Sequence, residues 1–460
     1  MSADENRTEP LQSQEGPAGE LLEVRWTPFA RVGFRFVFCY LILYCLYIAN
    51  TFQVEVTGTL SNWSVLSDGF TSPVWHRVVP WVGQHLLHLH SAITIFSNGS
   101  ADTTYDYCLI LCELVIAALT TVVWSIFDRN RPNYRTLHQW LRLIVRLFLA
   151  NELFGYGMDK VIPLQFGTMT WSTQVRPVGE MSPETLLWTF MAASTPYTMF
   201  AGAAEMLGGI LVLIPGTVAL GALVSFAALS NVLALNLCYD VPVKLYSFHL
   251  LLFTVFLLAP ELKRLTNVFL FNRTGQPAAF AAFSKRSWIN RAAAIFPIIW
   301  GVLLFSFLMF FNYRSWSARE ALNADRGPLY GVWQVEQFSN GGPLFTAKVQ
   351  QDMHIAPGEE SWQRLIFESK KTVVLQLRGG VFDWVDASID LDKDSLSFSD
   401  SGDPNWKCTF RLQRPTVSIL DLHGSVNGIP VDATLRHVDD SKYRLTTRGF
   451  HWISEHSFFR

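Results

Sequence analysis

The chain has 460 residues, half of them hydrophobic and only 16% charged, which is too apolar for an ordinary soluble protein. A formal net charge of −2 leaves no basic footprint for nucleic acid. Six cysteines (Cys39, Cys45, Cys108, Cys112, Cys238 and Cys408) form no CxxC pair, which argues against a zinc ribbon or a thioredoxin-type motif.

Residues 1–30 are rich in Glu, Ser, Gln and Pro and are expected to be disordered and cytoplasmic. The first apolar run has no small-residue cleavage site behind it, so it reads as a retained membrane helix. Runs of about 20 apolar residues can cross a bilayer as a helix. They fall at 32–52, 107–127, 137–157, 192–214, 217–237, 243–260 and 292–312. Residues 31–315 therefore read as an α-helical membrane bundle of about seven transmembrane helices. The third run is the least hydrophobic, and Arg142 and Arg146 stand near its start.

Basic residues crowd alternate loops. Arg25, Arg31 and Arg35 flank the first run, Arg129, Arg131 and Arg135 precede the third, and six Lys or Arg residues from Lys263 to Arg291 precede the seventh. The intervening loops hold only Arg77, and then Lys160 with Arg176. Basic loops stay cytoplasmic, which puts the N-terminus inside and the C-terminal domain outside.

The long loop at 53–106 contains Ser72 to His90, whose Trp75, Val78, Val79, Val82, Leu86 and Leu89 lie near one helical face. It is expected to lie on the membrane surface, with His76, His85, His88 and His90 toward headgroups rather than on a metal. Asn62 and Asn98 match a glycosylation pattern, and Ser100, Asp102 or Thr104 is expected to cap the second membrane helix. Cys108 and Cys112 lie one turn apart, a poor geometry for a disulfide, so packing is expected.

Ionisable and amide side chains are expensive inside a membrane and usually face the bundle interior. Glu113 in the second run, Glu152 in the third and Glu205 in the fourth are such groups, and Arg146–Glu205 is the expected structural ion pair. The hairpin Ser230–Leu250 adds Asn231, Asn236, Asp240, Lys244 and His249. Glu113, Glu152, Asn231, Asn236, Asp240, Lys244 and His249 all map to the outer half of the membrane and form the candidate polar cluster. The bland alternative is that they satisfy one another, with Asp240 capping the sixth helix.

From residue 325 to 460 the pattern changes to period two. Nine short strand-like segments run from VWQVEQF (332–338) to YRLTT (443–447), with turns at Gly379-Gly380, Ser401-Gly402, Asn427-Gly428 and Asp439-Asp440. This predicts an all-β antiparallel barrel. Gly331-Val332-Trp333 at its start resembles the opening of lipocalin-like barrels. The terminal RGFHWISEHSFFR is expected to close the barrel end or touch the membrane domain, and His451–Glu455 is a weaker catalytic pair.

Residues 137–271 resemble the DoxX-like family of bacterial inner-membrane proteins. The resemblance rests on Arg142, Gly157 and Lys160 of the third run, and on AGAAEMLGGILVLIPG with Glu205, Gly208 and Gly209. It implies a four-helix core in the bacterial inner membrane, with the β domain periplasmic and quinone a cofactor of some members. A multi-pass redox component is the first functional expectation. A scaffold or lipid-binding protein and a small-molecule transporter are the alternatives. A membrane protein partner or a homo-oligomer is compatible with each.

Overall fold

The structure is a computed structural model that describes residues 25–57, 72–93, 95, 100–275, 280–324, 326–342, 344, 356, 359–399 and 406–456. The expected disorder of the N-terminal segment lies outside these residues up to residue 24, as do Asn62, Asn98 and the Ser401-Gly402 turn. The helices are α1 (Pro28–Thr57), α2 (Ser72–His85), α3 (Thr104–Phe127), α4 (Arg135–Val161), α5 (Trp171–Val175), α6 (Pro183–Ala192), α7 (Thr195–Leu213), α8 (Val218–Cys238), α9 (Lys244–Leu258), α10 (Leu262–Phe269) and α11 (Ser287–Ala324). A β domain follows.

Among the described residues, six helical segments are long and apolar enough to cross a membrane: α1, α3, α7, α8, α9 with α10, and α11. Their outer faces are apolar yet open, as at Leu119, Val122, Val123 and Ile126 of α3, which are 52–61% exposed. Such a surface is stable against lipid and not against water. The chain is a membrane protein. The remaining expected span, α4, has 27 residues but carries Arg142, Arg146, Glu152, Asp159 and Lys160, which lower its hydropathy. At 38 residues, α11 is about 57 Å long at 1.5 Å per residue. The expected seventh span ended near 312, so the helix outruns it.

The chain divides into two compact units. One holds α1, α2, α3, α4 as far as Phe148, and residues 271–293. Within it Arg35 is buried and fully engaged. Its guanidinium donates to Tyr134 Oη at 2.8 Å, Ser125 Oγ at 2.8 Å and the Asp128 carbonyl at 2.7 Å. A buried cation is tolerated when its donors are satisfied in this way. The cap of α3 is Thr103, which forms a reciprocal capping box with Asp106, and not Ser100, Asp102 or Thr104. In α2, Val79 packs against Tyr105, Cys108 and Leu109 of α3, so part of the face expected to meet lipid is buried by protein. His85 stacks on Trp81 at 5.1 Å. Cys108 and Cys112 remain free thiols.

The other unit holds the rest of α4, α5 to α10, α11 from Ala294, and the β domain. Eight strands form a closed antiparallel barrel in sequence order: β1 (Gly331–Asn340), β2 (Trp362–Phe367), β3 (Thr372–Leu377), β4 (Phe382–Asp390), β5 (Ser395–Ser399), β6 (Lys407–Thr416), β7 (Ile419–Val426) and β8 (Ile429–His437). Asn427 and Gly428 both take positive φ, the conformation a two-residue hairpin between β7 and β8 requires. The interior is filled by Trp333, Trp362, Phe398, Phe410 and surrounding aliphatics. An eight-stranded barrel can be filled by side chains or hold one small ligand, and here side chains occupy the interior.

The expected ninth strand, YRLTT, is instead a helical turn at Arg444–Thr447. Because β8 pairs back onto β1, no free edge remains for it. Phe450 and Trp452 pack on each other and stay exposed rather than closing the barrel end. The outer wall is partly covered. Trp171 of α5 packs on Val332, Ile366 and Val374, and Glu368 accepts from the backbone N–H groups of Trp171 and Ser172.

Candidate functional site

The site begins with two glycines. A Cβ on Gly157 of α4 would lie 2.9 Å from the Gly202 carbonyl, and one on Gly202 of α7 would lie 2.5 Å from the Gly157 carbonyl. Only glycine lets the two backbones approach so closely. The crossing brings Lys160 Nζ to 2.8 Å from Glu205 Oε2, with both side chains buried. The expected partner of Glu205 was Arg146. That pairing is corrected: Arg146 stands 14 positions before Lys160, about 21 Å along the same helix. Glu205 stands level with the C-terminal end of α4, where the glycine crossing lies.

Around this pair, α4, α6, α7, α8 and α9 line a partly open cavity of about 120 Å3. Leu153, Leu187, Met191, Leu229, Leu235 and Leu250 supply apolar walls, and polar groups enter at a few points. Glu152 Oε2 accepts a short hydrogen bond from Tyr246 Oη, and Glu152 Oε1 accepts from Asn151 Nδ2 at 3.2 Å. Asn236 Nδ2 donates to Ser247 Oγ at 3.0 Å, and Ser247 Oγ donates to the Val243 carbonyl at 2.9 Å. Asn231 lies on the rim. Lys160 also sits 5.7 Å from the centre of the Tyr156 ring.

Of the expected cluster, Glu152, Asn231 and Asn236 come together here. Asp240 and Lys244 do not line the cavity. They pair with each other at 2.8 Å, and the Asp240 side chain is 82% exposed. Asp240 adopts a positive φ in the turn, and α9 has no side-chain cap, so its expected capping role is not realised. His249 is buried, and its Nδ1 lies 2.7 Å from the Leu245 carbonyl of the preceding turn. It also stays outside the lining. Glu113 belongs to the other unit, where it is fully buried near Cys112, and neither carboxylate oxygen has a hydrogen-bond partner among the described residues.

Sequence reasoning missed Tyr156, Tyr246 and Ser247, and it placed Lys160 just outside the membrane. A tyrosine in an apolar run reads as an interfacial residue, since its ring suits lipid and its hydroxyl suits water. The available signal was spacing. Glu152, Tyr156 and Lys160 are four apart and share a helix face.

No family model matches the chain, and no solved structure matches it. Over 124 residues it is 35% identical to the uncharacterized protein YwoB of Bacillus subtilis strain 168. The chain belongs to the YwoB family. The shared stretch is 27% of this chain and 79% of YwoB. YwoB is therefore far shorter and cannot carry counterparts of both the helical part and the barrel.

Proposed function

We propose that this is a DoxX-like inner-membrane protein whose helical core binds the headgroup of a quinone-type ring. The observation that carries the reading is the partly open cavity walled by apolar side chains and furnished with Lys160, Asn231, Asn236 and the Glu152–Tyr246 pair. Its volume, about 120 Å3, is somewhat below the roughly 150 Å3 of an apolar cavity that accepts benzene, which limits an occupant to a single ring. A quinone offers two opposed carbonyl acceptors. The Lys160 ammonium and the amides of Asn231 and Asn236 are donors suited to them. Glu152 and Tyr246, already sharing a proton contact, are the groups that would exchange protons with a bound ring. A side-chain-filled barrel weighs against the alternative in which the β domain carries a lipid inside. The loop charges support a cytoplasmic N-terminus and a periplasmic barrel.

The test is a titration of the purified protein with a short-tailed benzoquinone, read by quenching of tryptophan fluorescence. Ala201 lines the cavity, so Ala201→Phe fills it. Saturable quenching in the wild type that Ala201→Phe abolishes, at an unchanged unfolding temperature, supports the reading. Equal quenching in both proteins would remove the cavity as the site.

A further inference from the structure

The unit that contains the barrel also holds a second and larger chamber, half open to the surface and about 920 Å3 in volume. It is bounded by residues 166–176, α6, the end of α11, and the barrel side at Tyr330, Glu368 and Trp384. Phe166 and Trp188 line both this chamber and the ring-sized cavity, and their rings meet edge to face at 5.1 Å. The volume falls in the range of about 300–1,000 Å3 usual for small-molecule sites.

Three guanidinium groups from separate segments reach the chamber: Arg176 after α5, Arg319 near the end of α11, and Arg326 before β1. Among the described residues, none is recorded in an ion pair with an acid. Arg176 lies 4.6 Å from the centre of the Phe382 ring and Arg326 lies 4.8 Å from that of Tyr330. Arg319 donates to the Leu164 carbonyl at 3.0 Å.

Two carboxylates also line the chamber, Glu320 and Glu368. Glu368 already accepts from the backbone N–H groups of Trp171 and Ser172, at 3.2 and 2.7 Å. Among the described lining residues, only Glu320 then remains to offset three cations. Guanidinium groups fixed on their stems and lacking acids match oxyanions, which take two parallel N–H bonds from one fork. Thr168, Thr185 and Thr189 add hydroxyls around the same space, while Trp188 and Trp384 offer flat apolar faces.

We propose that this chamber binds the oxyanion group of an organic phosphate or carboxylate. The anion meets Arg176, Arg319 and Arg326, and the organic body rests on Trp188 or Trp384. This assignment goes beyond the quinone reading and does not depend on it.

A phosphate reaches such a site either from solution or as a lipid headgroup, and the test separates the two. The full chain is placed in neutral phosphatidylcholine nanodiscs and titrated calorimetrically with phenyl phosphate, with phenol as the uncharged control. The same preparation, first purified with its native lipids, is weighed by native mass spectrometry for retained phosphatidylglycerol. Phenyl phosphate is expected to bind where phenol does not. Arg319→Ala with Arg326→Ala is expected to weaken that binding by about tenfold or more, since guanidinium–oxyanion bonds are among the strong hydrogen bonds. The Arg319→Lys, Arg326→Lys pair retains the charge and is expected to be intermediate. Phosphatidylglycerol retained by the wild type and lost from the alanine pair, without a response to phenyl phosphate, would assign the same arginines to a headgroup. Binding that the alanine pair leaves unchanged, or no binding of either probe, overturns the proposal. Equal unfolding temperatures across the variants exclude a trivial loss of fold.

Discussion

Lys160 and Glu205 are each costly alone and tolerable together. Removing either charge from water in a low-dielectric interior is unfavourable by several kcal/mol, and their contact at 2.8 Å offsets much of that. Lys160→Met should therefore destabilise the protein by about 3–5 kcal/mol, because it strands Glu205. Lys160→Met combined with Glu205→Leu should recover most of the loss, since replacing both partners by apolar residues is often nearly neutral. Unfolding of the three proteins in denaturant measures both effects. A double variant no more stable than the single one would show that the pair does more than neutralise itself. Glu152 and Asn236 were legible in the sequence because a polar group in an apolar run has few reasons to be there. Tyr246 was not legible, since tyrosine is at home in apolar runs and only the fold turns its hydroxyl onto Glu152. The choice of Lys160 over Arg146 depended on where α4 and α7 cross, and the paired glycines decide that.

At the scale of elements, α5 shows how a short connection becomes structural. Thr170 caps it, Glu368 binds its first N–H groups, and Trp171 is buried against the outer barrel wall. Trp171→Ala should cost about 3–5 kcal/mol, the usual penalty for deleting a buried aromatic ring. Limited proteolysis should then cut residues 165–182 faster than in the wild type, while the barrel strands stay protected. Unchanged cleavage would mean that the α5 contact is not what holds this segment. The strands were readable by their alternation, as in β6, where Cys408, Phe410 and Leu412 point inward and their neighbours outward. The covering of the wall also left a trace that went unread. TVVLQL in β3 is buried at nearly every position, the mark of a strand covered on both faces. By contrast, α5 itself has only five residues and no periodicity to detect. The ninth predicted strand failed for a nonlocal reason: β-propensity in 443–447 cannot reveal that the sheet has already closed.

For the molecule as a whole, the fate of α4 sets the topology. Six crossings would return the barrel to the side of the N-terminus, and a seventh through α4 would place it opposite. We propose seven, on the basic loops and on the length of α4, which at 27 residues is about 40 Å. Reporter fusions after Met1 and after Arg460 should accordingly report opposite faces of the membrane. Reports from one face would remove α4 from the spanning set and invert the orientation of every later helix. The central claim is the bound ring, and one measurement addresses it most directly. The full chain, extracted in mild detergent from the membrane in which it is expressed, is weighed intact by native mass spectrometry. A population heavier by the mass of one quinone is expected, and Ala201→Phe is expected to lose it. A chain that weighs only its polypeptide and phospholipids from the first extraction onward, in wild type and variant alike, would contradict it.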